Sequence, residues 1–168
     1  MGVLNSVTPF FSGVYKESAQ TIWNLILGWK FFLETEVVVG IPEEFNVGEG
    51  NGFTSAGLLY MHEQGVPSHN IPPRPVLGPA LAQGDVQEQI KLLMMEAAEA
   101  ALANGDRDTA KANFEKAGMI GATACRDYIK SGSLAPNAPS TIARKGSSTP
   151  LIDTGAMLGS INYAVRKK

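Results

Sequence analysis

The chain has 168 residues, 44% hydrophobic and 18% charged, a size and balance that suit one domain with a real core. A formal charge of −2 excludes the broad basic footprint of a general nucleic-acid binder and leaves only local basic tips at Arg144-Lys145 and Arg166-Lys167-Lys168. The single cysteine, Cys125, excludes an internal disulfide framework and points to a reducing compartment, and no signal-peptide pattern is expected.

Residues 1–13 have no clear period. Residues 17–33 admit a helix or one or two strands. Trp23, Leu25, Ile26, Leu27, Trp29, Phe31, Phe32 and Leu33 make this segment apolar on nearly all sides. It reads first as buried core and second as an arm that docks on a partner, because exposed aromatic patches mark interfaces. The apolar run 22–33 is broken by Asn24, Gly28 and Lys30 and is too short to span a bilayer.

Residues 34–41 set Glu34 and Glu36 against Thr35, Val37, Val39 and Ile41, the alternation of a strand. Pro42 and the stretch 46–52 end it in a loop. Thr54 or Ser55 can cap a short helix that Gly65 stops. Residues 67–75 hold too many prolines for a helix and should run extended. Residues 85–103 give the cleanest helical rhythm, with Val86, Ile90, Leu93, Met94, Ala97 and Ala101 on one face. Asn104-Gly105 ends it. Asp106 can cap a second helix to about Lys130, with Phe114, Ala117, Gly118, Gly121, Cys125 and Tyr128 as its stripe. Two helix-interior glycines cost about 1 kcal/mol each relative to alanine, which predicts another backbone packed on the Gly118–Gly121 face. Residues 131–155 show no regular element, and loops this long are usually functional or disordered. An acidic turn, Asp153-Thr154-Gly155, then leads to an expected strand over 157–165. Its apolar face is Met157, Gly159, Ile161, Tyr163 and Val165; Leu158, Ser160, Asn162 and Ala164 form the more polar face.

Candidate chemistry is thin. His62-Glu63 lacks the second histidine four residues on that a zinc site on a helix requires; Val66 stands there, and His69 follows Pro67. Asp153 and Thr154 read as turn chemistry, with no second acid at useful spacing. Cys125 reads as a small buried hydrophobe. Gly48, Gly50 and Gly52 lack the Lys-Ser/Thr of a phosphate loop. Arg74, stiffened by Pro73 and Pro75, offers a fork to a carboxylate on a neighbour, or is simply a solvated loop residue. No catalytic, cofactor or metal residue is assigned.

Four stretches occur in one order over residues 37–165. These are Val37-Val38-Val39-Gly40-Ile41-Pro42; Tyr60-Met61-His62-Glu63-Gln64-Gly65 with Ile71-Pro72-Pro73-Arg74-Pro75; residues 133–145 (Ser133-Leu134-Ala135-Pro136-Asn137-Ala138-Pro139-Ser140-Thr141-Ile142-Ala143-Arg144-Lys145); and Pro150-Leu151-Ile152-Asp153-Thr154-Gly155 with Ser160-Ile161-x-Tyr163-x-Val165. Together they resemble the tailed-phage virion-morphogenesis, neck and tail-completion group, including Mu-type tail completion and siphovirus tail-component proteins. The resemblance gives the His-Glu-x-Gly corner the role of shaping the turn before the Pro-rich segment. It implies a structural protein, not an enzyme: a homo-oligomeric ring, six-fold with twelve-fold as the alternative, at the head–tail junction of a virion. Such a ring meets portal, adaptor or connector proteins and tail-tube proteins, leaves a channel for viral DNA, touches no membrane and is assembled in the bacterial cytoplasm. A tail-terminator ring is the main alternative; a small soluble hydrolase and a DNA-packaging accessory protein are the others.

The expected architecture is α+β: an antiparallel or mixed sheet covered by the antiparallel helix pair 85–103 and 106–130, with long loops. Residues 34–168 should form one domain and residues 1–33 an N-terminal arm or helix/strand segment. Candidate contacts to neighbours fall in four places: Trp23, Trp29 and Phe32 on the arm; Arg74 in the Pro-rich segment; Arg144, Lys145, Leu151 and Asp153 in the long loop; and Met157, Ile161 and Tyr163 in the last strand.

Overall fold

The computed structural model describes residues 8–48 and 52–168, with side chains from residue 19 on. Residues 1–7 of the expected arm and 49–51 of the expected loop lie outside the described residues. Helix α1 (Thr8–Glu34) passes directly into strand β1 (Thr35–Gly40). The switch falls where Thr35, Val37, Val38 and Val39 begin, β-branched side chains that fit a pleated surface better than a helix turn. β1 pairs antiparallel with β2 (Asn162–Lys167), Val37 opposite Val165 and Val39 opposite Tyr163. On the other face Arg166 Nε donates to Glu36 Oε1 at 2.8 Å. Among the described residues the sheet has these two strands alone.

The fold is α+β, and the helix pair packs on the sheet as the sequence predicts. α4 (Gly84–Ala103) and α5 (Arg107–Lys130) are joined through Asn104-Gly105. Asp106 caps α5: its carboxylate accepts from the Thr109 backbone N–H at 2.9 Å and from the Thr109 hydroxyl at 2.6 Å. The Gly118–Gly121 face is the point of closest approach, though side chains rather than a backbone fill it. A methyl on Gly118 would sit 2.6 Å from the Tyr163 ring, and one on Gly121 would sit 3.0 Å from Val39.

α5 runs past two cores. At its N-terminal end Phe114, Ala110, Ala97, Ala100 and Ala101 pack with Phe31, Phe32, Val37 and Val165. Phe31 stacks on Phe114 at 5.5 Å, and Phe32 meets its edge at 5.3 Å. α1 lies on α4 where Gly28 faces the Ala101 carbonyl. At the C-terminal end Cys125 and Ile129 pack with Leu59, Val76, Ala80, Leu134, Met157 and Ile161.

This second core is wrapped by short elements. α2 (Ser55–Gln64) is capped by Thr54, whose hydroxyl accepts from Gly57 N–H at 3.2 Å, and ends at Gly65. Gly65 has φ 73°, and a methyl there would sit 2.8 Å from Pro73 N, so glycine is required on both counts. Residues 67–75 begin with a 3-10 turn at Pro67–His69 and then run extended.

Four expectations are corrected. α3 (Leu77–Leu81) was not predicted; Glu63 starts it by accepting from the Val76 and Leu77 backbone N–H groups, both at 2.8 Å. α6 (Pro139–Lys145) lies within the segment read as irregular; Pro opens it and Gly146, at φ 67°, closes it. The strand expected from Met157 begins only at Asn162, because α7 (Ala156–Ser160) precedes it. Met157 and Ile161 are four residues apart, a spacing that satisfies a helix turn and a strand face alike, so alternation alone could not separate them. The buried-core reading of 17–33 holds only along the line through Gly28, Phe31 and Phe32; Ile22, Trp23, Leu25, Ile26, Trp29 and Leu33 are exposed.

Candidate interaction surfaces

Two surfaces stand out. The first is the outer face of α1. Trp23 and Trp29 are each 58% exposed and Leu33 is 67% exposed. A groove of about 590 Å³ runs along Ile22, Leu25, Ile26, Trp29 and Leu33, with the Lys30–Glu34 ion pair (3.8 Å) at its end. Because α1 packs on α4 through Gly28, this face is turned away from the rest of the chain. Phe32 belongs to the core against Phe114, not to this surface.

The second is a cleft of about 1240 Å³ bounded by α2, the Pro-rich segment, α6 and the turn into α7. Three fixed cations, Arg74, Arg144 and Lys145, line it with His62 and His69, against one carboxylate, Asp153. Phe53, Leu58, Ile71 and Leu151 give it apolar walls. Leu151 holds a left-handed backbone, φ 61°, which is costly for a leucine.

Arg74 builds this cleft. Its side chain is buried and donates from Nε to the Ala135 carbonyl at 2.8 Å and from Nη2 to the Pro136 carbonyl at 3.0 Å. Its backbone N–H donates to the His62 carbonyl at 2.6 Å. One residue thus ties α2 to the loop before α6. Arg74 is not a solvated loop residue: its Nε and Nη2 are spent inside the chain, while its charge still lines the cleft. The His62-Glu63-x-Gly65 corner does shape the turn, through the His62 carbonyl, the Glu63 cap on α3 and the Gly65–Pro73 contact.

Asn137 ties the far side of the loop, its Nδ2 donating to the Ser148 and Thr149 carbonyls, each at 3.3 Å. The segment 131–155 is therefore ordered within this chain. Burial, then the charge of Arg74, then that of Lys145, hold the His62 imidazole below its usual pKa. His62 Nδ1 is buried without a hydrogen-bond partner.

The cleft brings together Arg74, Arg144, Lys145, Leu151, Asp153 and Met157 of the sequence candidates. Met157 is buried at its edge. Ile161 is fully buried and presents no surface to a neighbour; Tyr163 is half-buried, with one side of its ring against Gly118. Sequence reasoning missed the two histidines as members of one site, since only the Arg74 strut brings α2 and the 131–155 segment together. Cys125 is the buried hydrophobe expected: burial and nearby Glu63, partly offset by Arg126, push its thiol up to about 11. Among the described residues no helix is long and apolar enough to cross a membrane, and no group of three or more His, Cys, Asp or Glu could hold a metal ion. Comparison with models of protein families, with curated proteins and with solved structures gave no match.

Proposed function

We propose that the chain is a structural subunit of a tailed-phage virion that works by association, forming a ring at the head–tail junction through which DNA passes. The observation that carries this reading is the outer face of α1. A helix that turns Ile22, Trp23, Ile26, Trp29 and Leu33 to water in the isolated chain is built to be covered. The four ordered sequence stretches supply the kind of assembly, and three of them lie in or against the cleft, on the Pro-rich segment, around α6 and at the turn into α7. The α1 face is assigned to a connector or tail-side partner. Among the described residues the second edge of β2, residues 162–167, pairs with no strand, and it offers strand addition as a further contact. The net acidic chain suits a lumen that holds DNA weakly, because tight phosphate contacts would hinder passage.

The test is a nonsense mutation in the gene, followed by electron microscopy of the lysate. DNA-filled heads beside separate tails of normal length are expected. Overlong tails would make the protein a length terminator instead. Normal infectious particles would overturn the reading.

A further inference from the structure

The cationic cleft needs an acidic occupant, and the chain itself displays one. On α4, Glu88, Leu92, Met95, Glu96 and Glu99 fall at i, i+4, i+7, i+8 and i+11, one stripe of a helix. All five are exposed, Leu92 by 53% and Met95 by 58%. Three carboxylates thus surround two large apolar side chains, with Lys91 on the flank. The cleft is the counterpart in both respects, with Arg74, Arg144 and Lys145 around the apolar walls Phe53, Ile71 and Leu151.

The two surfaces lie on different parts of the fold. The part of α4 from Met94 to Ala101 packs in the core at the start of α5, whereas the cleft's walls close over the core at its end. A closed ring requires two such distinct patches, one on each side of the subunit. The sizes agree as well. The stripe from 88 to 99 is about 17 Å long, and half of a helix cylinder of that length fills roughly 800 Å³. The cleft offers about 1240 Å³.

We infer that copies of this chain associate head to tail, the acidic α4 stripe of one seated in the cationic cleft of the next. Resting on the ring reading, this assigns its repeating contact. Opposite charge sets partner orientation, and the apolar pairs inside the contact supply its hydrophobic core.

The experiment is light scattering on two charge-reversed variants of the full chain, Arg144→Glu with Lys145→Glu, and Glu96→Lys with Glu99→Lys. All four side chains lie outside both buried cores, and circular dichroism checks that each variant keeps its helices. Wild type should be oligomeric, and each variant alone should fall to the 17.9 kDa monomer. An equal mixture should regain the wild-type mass, because each variant then meets a partner of opposite charge. Wild-type mass in either variant alone, or a mixture that stays monomeric, overturns this contact. So does a monomeric wild type. Electron microscopy of the nonsense mutant judges the head–tail reading independently, so the contact can fail while that reading stands.

Discussion

The two ends of α5 are held by different physics. The N-terminal end is apolar packing alone: three alanines of α4 let the helices close up, and Phe114 fills the space between Phe31 and Phe32. The C-terminal end has an apolar centre too, but what surrounds it is irregular chain fixed by polar side chains. Arg74 ties the loop before α6, Glu63 starts α3, and the buried hydroxyl of Ser160 meets those of Ser55 (3.3 Å) and the Ala156 carbonyl (3.0 Å). Short helices bury too little surface to hold themselves, so specific hydrogen bonds must place them. The second end is accordingly where a cleft with defined polar walls can exist.

The contrast predicts two kinds of damage. Phe114→Ala removes the ring on which Phe31 and Phe32 rest and should cost about 3–5 kcal/mol in urea unfolding, weakening the whole domain. Arg74→Met keeps bulk but leaves the Ala135 and Pro136 carbonyls without their donors, a loss of about 2–4 kcal/mol. Its damage should be local: protease should cut within 131–155 while the α4–α5 pair stays protected in hydrogen exchange. Equal protection of that segment in both variants would mean the two ends are not separate units.

What could be read in the sequence divides along the same line. α4, α5, their Asn104-Gly105 turn, the Asp106 cap and β1 were legible, because apolar periodicity and capping residues report directly on packing against a neighbour. The α2 cap at Thr54 and the stop at Gly65 were legible for the same local reason. α3 was not, since its start is fixed by Glu63, thirteen residues upstream of Val76. α6 had its Pro139 and Gly146 signals but no apolar stripe. α7 was hidden because Met157 and Ile161 fit both periods. In the site, Arg144, Lys145 and Asp153 were identified, yet their meeting with His62 depends on a contact across more than sixty residues that no local pattern encodes. The exposure of α1 was also illegible: apolar residues on all sides look the same whether covered by this chain or by another.

The junction between the ends gives a smaller test. Gly118→Ala would place a methyl 2.6 Å from the Tyr163 ring and 2.9 Å from its Cβ, which moves only if β2 moves. Overpacking of this kind costs about 1–3 kcal/mol, while helix propensity returns about 1. The net should be a loss of up to about 2 kcal/mol, with amide shifts in β1 and β2 and little change at His62. Stabilisation would show that the sheet rides on α5 more loosely than the contact implies.

The smallest effect has the most informative sign. His62 faces Arg74 from the Pro-rich segment and Lys145 from α6, and burial adds to their repulsion of a proton, so its folded pKa lies below the ordinary 6.5. The unfolded chain therefore takes up this proton first as pH falls. The contribution is complete above 6.5 and is lost as pH drops through the folded pKa. Between about pH 7.5 and about pH 5 the melting temperature of the monomeric Glu96→Lys/Glu99→Lys variant should fall more steeply than that of the same variant carrying His62→Gln; parallel slopes would sink the assignment. In the proposed head-to-tail assembly the sign at His62 should reverse. Carboxylates of the neighbour's α4 offset the cations around the ring and favour its protonation, so mild acid should tighten association even as it weakens the isolated fold. Glu63 and Asp153 are present in both states and cannot produce that difference. Opposite pH responses of oligomer mass and monomer stability, both lost in His62→Gln, would place the neighbour's acids beside this imidazole.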